Sequence, residues 1–433
     1  MMKTEHRVQS YIATQHLLED GQRVLVALSG GADSVCLLLL MRRLGYDCVA
    51  AHCNFHLRGD ESDRDENFVT ELCERLHVQL HKIDFDTKTY AQTKGISIEM
   101  AAREMRYDYF HSIASQEQLD TVCIAHHRDD SAETFLLNAV RGTGIAGLSG
   151  ISAKRLDGEL HIVRPLLCLS RKEILEYLED NRQAFVTDSS NLVDDVARNK
   201  VRLDVVPILR QINPAAVENL STTMENLLEV QRVYESAIAS DLQRCETARG
   251  ILSVELLLTS VSPVSVLYSW LYSRGFNRAQ VYDILEAIRN PQSGKIFKSD
   301  SDCVLVDRGS LVLESAMQYV RPEDISMTVL PRGEVAIKRN PHYAYLDADK
   351  VAGNLNVRLV QTSDSFQPFG MHGRKLVSDF LTDCKLNLFQ KRHQLVVCDS
   401  SDIAWVVGLR ASEKYRVDEK TKRVVVLEIV GKN

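Results

Sequence analysis

RVLVALSGGADSVCLLLLMRRLG, residues 23–45, joins two periodicities with almost nothing between them. Residues 23–28 form a short aliphatic run of the kind that makes a buried strand, and residues 34–44 are long and unbroken enough to make a helix. Ser29, Gly30, Gly31, Ala32, Asp33 and Ser34 fill the junction. Two glycines let the backbone turn so that successive N–H groups converge on an anion, and the new helix adds its positive end. Ser29 and Ser34 add hydroxyl donors. The alternative is an ordinary glycine turn with Ser34 as N-cap. Asp33 is the odd member, because a carboxylate beside phosphates is repulsive unless a cation lies between them, and Mg²⁺ is the economical choice. The loop is not a Walker A motif, since no G-x-x-x-x-G-K-[ST] occurs.

Outward from this junction, residues 48–52, 78–85 and 121–125 read as further strands, and 63–76, 97–115 and 129–141 as helices. Such alternation predicts an α/β fold, a doubly wound parallel sheet whose ligands bind beyond the carboxyl ends of the strands. Two more helices follow over 170–181, opened by a Ser170/Glu173 capping box, and 193–212. Residues 215–249 keep an apolar period without Pro or Gly and read as one long helix. Helices over 263–275 and 278–290 come next, then strands over 295–298 and 303–314, the latter turning at 307–310. Strands are expected again at 357–360, 394–397, 403–407 and 423–429. The expected domains are a catalytic unit over 1–215, a long linker helix with a helical middle domain over 216–330, and a small strand-rich C-terminal domain over 350–433.

The whole chain has 433 residues and a formal net charge of −7, with 45% hydrophobic and 26% charged residues, which suits a soluble multidomain protein. Its longest apolar run near the start, residues 35–41, is far short of the roughly 20 residues that cross a bilayer, so no membrane partner is expected. No signal peptide is evident at residues 1–15, and the ten scattered cysteines contain no Cys-x-x-Cys. A cytoplasmic protein with reduced thiols is the expectation. Residues 351–433 carry 13 Lys and Arg against 9 Asp and Glu, a net of +4, so the acidic excess lies wholly before them.

His126, His127, Arg128, Asp129 and Asp130 follow the strand TVCIA, where ligands of such a sheet bind. Asp130 and Glu133 are three apart and share one helical face, although an aspartate here could simply cap the helix. The two histidines lack a third spaced ligand, which favours orientation or hydrogen bonding over zinc. Arg103 and Arg106 lie three apart on the helix that holds Glu99 and Glu104, as a solvated ion-pair face or as part of a site. Arg198, Asn199 and Arg202 sit within about one turn, and arginine is the fork that pairs with phosphate. The acidic run at 60–66 reads as a solvated helix start.

The SGGxDS loop resembles the pyrophosphate loop of the PP-loop ATP pyrophosphatases. Taken with AHCNFHLRGDESDRDENFV (51–69), AAREMRYDYF (101–110), AHHRDDSAETFLLNAVRGTGIAGLSGI (125–151), VRPLL (163–167) and DSSNLVDDVARNKVR (188–202), it resembles the tRNA(Ile)-lysidine synthetase family. That resemblance is strong over about residues 20–215. It implies an adenine nucleotide alpha hydrolase-like domain and a ligase that uses ATP and Mg²⁺ to join L-lysine to the wobble cytidine of the CAU anticodon of tRNA(Ile). The base would first be adenylated with release of pyrophosphate, and AMP would leave when the lysine ε-amine attacks. It also implies site roles. Asp33, Arg103, His127, Asp130 and Glu133 would be catalytic, with Asp33 on the metal. Asp130 and Glu133 would hold the lysine α-ammonium, and residues 29–34 would hold ATP. Arg106, Arg198, Asn199 and Arg202 would contact tRNA or phosphate.

The tail adds a second match, because DSFQPFGMHGRKLVSDFLTD (364–383) and KRHQLVVCDSSDIAWVVGLRASEKYRV (391–417) resemble the small tRNA-contacting domain of longer family members. Leu388-Phe389 and Val396-Val397 depart from the pattern, where a proline is usual. Arg374 and Lys375, with Gly370 and Gly373, look like a turn that meets RNA backbone or an exposed charged turn. A homodimer is compatible with the resemblance. The rival readings are a tRNA thiolation enzyme of the same superfamily, a glutamine-dependent synthetase, for which no ammonia-generating segment is evident, and a non-catalytic nucleotide- or RNA-binding protein.

Overall fold

The computed structural model describes residues 2–57, 59–187, 196–290, 294–400 and 402–430. The chain divides into two compact units, Met1–Val233 and Tyr234–Asn433.

In the first unit, α1 (Met2–Thr14) precedes β1 (Arg23–Ala27), α2 (Ala32–Arg43), β2 (Asp47–Asn54), α3 (Asp60–Leu76) and β3 (Gln79–Asp84). Then come α4 (Thr87–Lys94), α5 (Ile98–Glu117), β4 (Thr121–Cys123), α6 (Arg128–Arg141), α7 (Ile145–Leu148), β5 (Lys154–Asp157) and β6 (Leu160–Val163). A six-stranded sheet runs in the order β3-β2-β1-β4-β6-β5. All its pairings are parallel except the edge pair β5–β6. The sequence reading missed that edge hairpin, whose four-residue strands alternate too briefly to stand out. Apolar side chains cover both faces of the sheet. Val24, Val26, Leu37, Leu38 and Leu40 belong to one core with Ile174 and Leu178, and Leu25, Val49 and Val122 belong to another with Phe110 and Ile113. Chain order reverses between β1 and β4, and that crevice is where a doubly wound sheet takes its ligands.

The Ser170/Glu173 capping box opens α8 (Arg171–Asp180) as expected. Of the helix expected over 193–212, the described part is α9 (Val196–Lys200), a π turn at Val201–Val205 and α10 (Val206–Ile212). Residues 188–195 of that motif lie outside the described residues. Pro207 has no N–H to give to the carbonyl four residues back, which explains why the helix widens just before it.

The long helix is α11 (Ala216–Cys245), and the division between the units falls within it. It ends four residues before the expected Arg249, because β7 (Glu246–Ala248) turns at Gly250 and pairs with β8 (Ile251–Ser253). In the second unit, α12 (Val254–Leu258), α13 (Pro263–Tyr272) and α14 (Arg278–Arg289) share a core with a five-stranded antiparallel sheet. That sheet also contains β9 (Ile296–Lys298), β10 (Cys303–Asp307) and β11 (Ser310–Leu313), in the order β7-β8-β11-β10-β9. The middle region is therefore helices on a sheet, with two of its strands too short to read from sequence.

β12 (Ile325–Pro331) and β13 (Tyr343–Asp347) follow, and then β14 (Asn356–Leu359), β15 (Ser365–Phe366), β16 (Lys375–Leu376), α15 (Val377–Asp383), α16 (Leu388–Arg392), β17 (Leu395–Cys398), β18 (Ile403–Val406) and β19 (Arg410–Ala411). The last strand, β20 (Arg423–Ile429), lies between β12 and β13 in a three-stranded sheet. Residues 350–433 thus share a sheet with strands that precede them. Phe389, at the first departure from the expected proline pattern, is fully buried in a cluster with Leu305 and Val312.

Candidate active site

The loop after β1 is built as its glycines suggest. Gly30 sits at φ +93°, and a Cβ there would stand 3.2 Å from Val69 Cγ2. Gly31 caps α2 with no side-chain hydrogen bond, so the first N–H groups of the helix are left to an anion. Ser34 Oγ donates to the Gly31 carbonyl at 2.9 Å and stands 3.1 Å from Ser29 Oγ, which holds the two hydroxyls together. Val186 N–H donates to the Gly30 carbonyl at 2.9 Å and fixes the turn from the other side.

A cavity of about 390 Å³ opens over this loop. Ser29, Gly31, Asp33 and Ser34 line it from β1 and α2, Arg103, Arg106 and Tyr107 from α5, and His126 and Asp130 from the end of β4 and the start of α6. That volume lies in the usual range of small-molecule sites, about 300–1,000 Å³. Arg103 stacks over the Tyr107 ring at 5.0 Å and Arg106 over the Phe55 ring at 5.3 Å, so two planar cations and two aromatic faces stand on one wall.

Asp33 meets the Arg171 guanidinium of α8, and His127 Nε2 lies 3.7 Å from it. Its carboxylate therefore already holds a cation. His127 is buried and serves as the N-cap of α6. Its ring Nδ1 accepts from the Asp130 backbone N–H at 3.4 Å, while the His127 backbone N–H donates to Asp130 Oδ2 at 3.0 Å. Asp129 is held by Arg171 N–H and by Arg210, each at 2.8 Å.

Asp130 and Glu133 meet two arginines of the widened helix. Arg198 Nε donates to Glu133 Oε2 at 2.9 Å, and its Nη2 lies 3.2 Å from Asp130 Oδ1. Arg202 donates to both Glu133 oxygens, at 2.6 and 2.9 Å, and stands 3.3 Å from Asp130 Oδ1. Burial alone would raise the Asp130 carboxyl, but His127 and Arg198 outweigh it and hold the group below its ordinary value. Hydrogen bonding to Glu133 raises Arg202 above its own. The result is a quartet of two carboxylates and two guanidiniums beside the cavity.

The sequence reading placed Asp33, His127, Asp130 and Glu133 in one site, and the structure brings them together with Arg198 and Arg202. Asn199 is half-buried on the same turn. Arg374 and Lys375 belong to the second unit, where Arg374 pairs with Asp402 at 2.8 Å and Lys375 with Asp383. The sequence reading gave no role to Arg171 or Arg164. Arg171 directly follows a recognisable N-cap and reaches the first turn of α2, which packs in the same core as its own helix, and Arg164 is the arginine of VRPLL. Nothing in their spacing alone marks either one.

Comparison with known proteins matches three stretches of the chain to family descriptions. The description "PP-loop domain" matches residues 2–209, "TilS substrate binding domain" matches 246–316 and "TilS substrate C-terminal domain" matches 355–428. The chain is 44% identical over 436 residues to a tRNA(Ile)-lysidine synthase of Bacteroides thetaiotaomicron, covering 98% of this chain and all of the relative. It is 41% identical to one of Parabacteroides distasonis, covering 98% and 100%, and 39% identical to one of Porphyromonas gingivalis, covering 96% of each.

Proposed function

The chain belongs to the tRNA(Ile)-lysidine synthase family, and on that footing we propose how its own residues divide the reaction. It is a PP-loop ligase that uses ATP and acts on tRNA(Ile). ATP lies with its phosphates over residues 29–34. The anticodon cytidine is presented to the same cavity, and lysine is held by its zwitterionic end at the quartet. One observation carries this reading. The phosphate loop and Asp130 line one cavity, at the crevice where the sheet reverses its order.

Asp33 fits a divalent cation. It is a carboxylate in the first turn of α2 that already accepts a guanidinium, and Mg²⁺ is commonly held by one or two carboxylates plus substrate phosphates. When bound, the ion would neutralise charge on the departing pyrophosphate. The chain's own groups do the rest. Loop N–H groups and the Ser29 and Ser34 hydroxyls steady the phosphates, where fixed dipoles act most strongly on developing charge. Arg103 and Arg106, stacked on Tyr107 and Phe55, offer planar faces for an unstacked base or a ribose phosphate.

The quartet matches a free amino acid, with carboxylates for the α-ammonium and guanidiniums for the α-carboxylate. Lysine anchored there leaves its ε-amine to reach the activated base. That amine must lose a proton before it attacks, since lysine is protonated at neutral pH. Arg374 and Lys375 contact tRNA backbone.

The test supplies the purified chain with ATP, Mg²⁺ and labelled lysine. Label should enter tRNA(Ile) with a CAU anticodon and stay out of methionine tRNA. Pyrophosphate release with no label in the RNA would reject the reading.

A further inference from the structure

Arg164 follows β6 and is only 5% exposed. Buried arginines normally meet a carboxylate, because an uncompensated charge inside a protein is costly. Arg164 meets neutral groups instead. Its Nε donates to His126 Nδ1 at 3.1 Å, one Nη donates to the Ser152 carbonyl, and the Tyr107 hydroxyl is within reach. Among the described residues it makes no ion pair. Two other guanidiniums, Arg155 and Arg103, act on it and add to the positive field.

The hydrogen bond to Nδ1 has a chemical consequence for His126. A guanidinium can only donate, so Nδ1 must offer its lone pair and the ring proton must sit on Nε2. Burial pushes the His126 ring down to about 4; the Asp130 carboxylate pulls the other way, but Arg164 and Arg198 side with burial, so the ring is neutral at physiological pH. Nε2 has no hydrogen-bond partner among the described residues, and the ring lines the cavity over the phosphate loop. β4, which carries His126 just past its end, pairs directly with β1, which carries the loop.

We infer that Arg164 is a positioning residue that locks His126 as the neutral Nε2–H tautomer and polarises that N–H as a donor to a phosphoryl oxygen of the bound nucleotide. The arrangement inverts the familiar aspartate–histidine pair. There an acid makes the ring a better base, whereas here a buried cation makes the ring a better donor. The compensating negative charge comes from the substrate, so the couple gains most as charge grows at the reacting phosphate. His126 touches the nucleotide, and Arg164 acts through it. The inference rests on the reading of this cavity as the nucleotide site.

Two measurements on the full-length protein test it. Nitrogen-15 spectra of ring-labelled histidine, with His126 assigned by its loss in His126→Gln, should show an unprotonated Nδ1 and a protonated Nε2 in the wild type. A proton on Nδ1 would overturn the inference whatever happens to activity. In kinetics, Arg164→Gln should slow pyrophosphate release from ATP and tRNA by about 10- to 100-fold while tRNA affinity and the lysine KM hold. The double variant Arg164→Gln/His126→Phe should be no slower than His126→Phe alone, and Arg164→Lys should restore part of the rate. Losses that multiply in the double variant would reject the coupling. ATP that fails to bind the wild type would defeat the nucleotide-site reading instead, and would leave the tautomer result standing.

Discussion

Arg202 grips Glu133 with two nitrogens, Nε 2.6 Å from Oε1 and Nη2 2.9 Å from Oε2, and the glutamate is only 2% exposed. With Arg198 Nε on the same carboxylate at 2.9 Å, the acid meets two cations. Glu133→Gln keeps the shape and removes the charge, so it leaves two guanidiniums facing each other. Urea unfolding should show a loss of about 1–3 kcal/mol, the usual cost of stripping one partner from a buried charged hydrogen bond. The lysine KM should rise while ATP affinity changes little, as steady-state kinetics will show.

Asp33→Asn removes the carboxylate that meets Arg171 and, in the proposed mechanism, Mg²⁺. Pyrophosphate release should fall by about 100-fold or more, the scale on which removing one preorganised electrostatic group acts. Filter binding should find tRNA affinity unchanged. A variant that turns over near the wild-type rate would remove Asp33 from the metal role.

Gly30→Ala places a side chain at φ +93° and pushes its Cβ to 3.2 Å from Val69. The left-handed backbone alone costs about 1–2 kcal/mol. Thermal melting should drop, and calorimetry should show weaker ATP binding, because the loop N–H groups no longer converge. Gly31→Ala meets only Ser29 Oγ, at 3.5 Å, and should be milder.

Glu173 supplies a pH prediction. Burial would raise its carboxyl, but bonds from Arg7 and Ser170 overcome this and hold it at about 2, against an ordinary value of 4.5. A depressed folded-state value contributes stability above the unfolded value and loses it as pH falls through the folded one. The stability advantage of wild type over Glu173→Gln should therefore be flat above about pH 5 and shrink between about pH 4.5 and 2. Denaturation midpoints of both proteins across that window will check it.

Arg374→Glu with Lys375→Glu tests the tail without cutting it. Arg374 is exposed and Lys375 half-buried, paired to Asp402 and Asp383. The double variant should fold normally, since exposed pairs are worth about 0–1 kcal/mol. It should weaken tRNA affinity at all sequences and flatten the salt dependence by about one to two units of log–log slope.

Much of this was legible because the decisive residues are local. A strand, two glycines and a helix in 23 residues announce the loop, and the Asp130/Glu133 spacing announces a shared face. What stayed hidden is what meets that face. Arg198 and Arg202 reach it across 60 to 70 residues of chain, and Arg171 reaches Asp33 across 138, distances over which no periodicity carries a signal. The same holds for strands. β7 and β8 have three residues each and owe their form to partners. β12 and β13 were unread because their shared partner, β20, comes some 80 to 100 residues later.

That last pairing sets an order of events in synthesis. Among the described residues, β12 and β13 pair as strands only with β20, and their sheet has no fourth strand. A chain emerging from the ribosome through Asp347 therefore carries two strands with nowhere to pair until the final ones are translated. Closing such distant contacts pays its loop entropy before any bond rewards it, so this sheet should be the slow step of maturation. During that interval the nascent protein exposes two adhesive edges, and its first unit, already whole, can fold ahead of them.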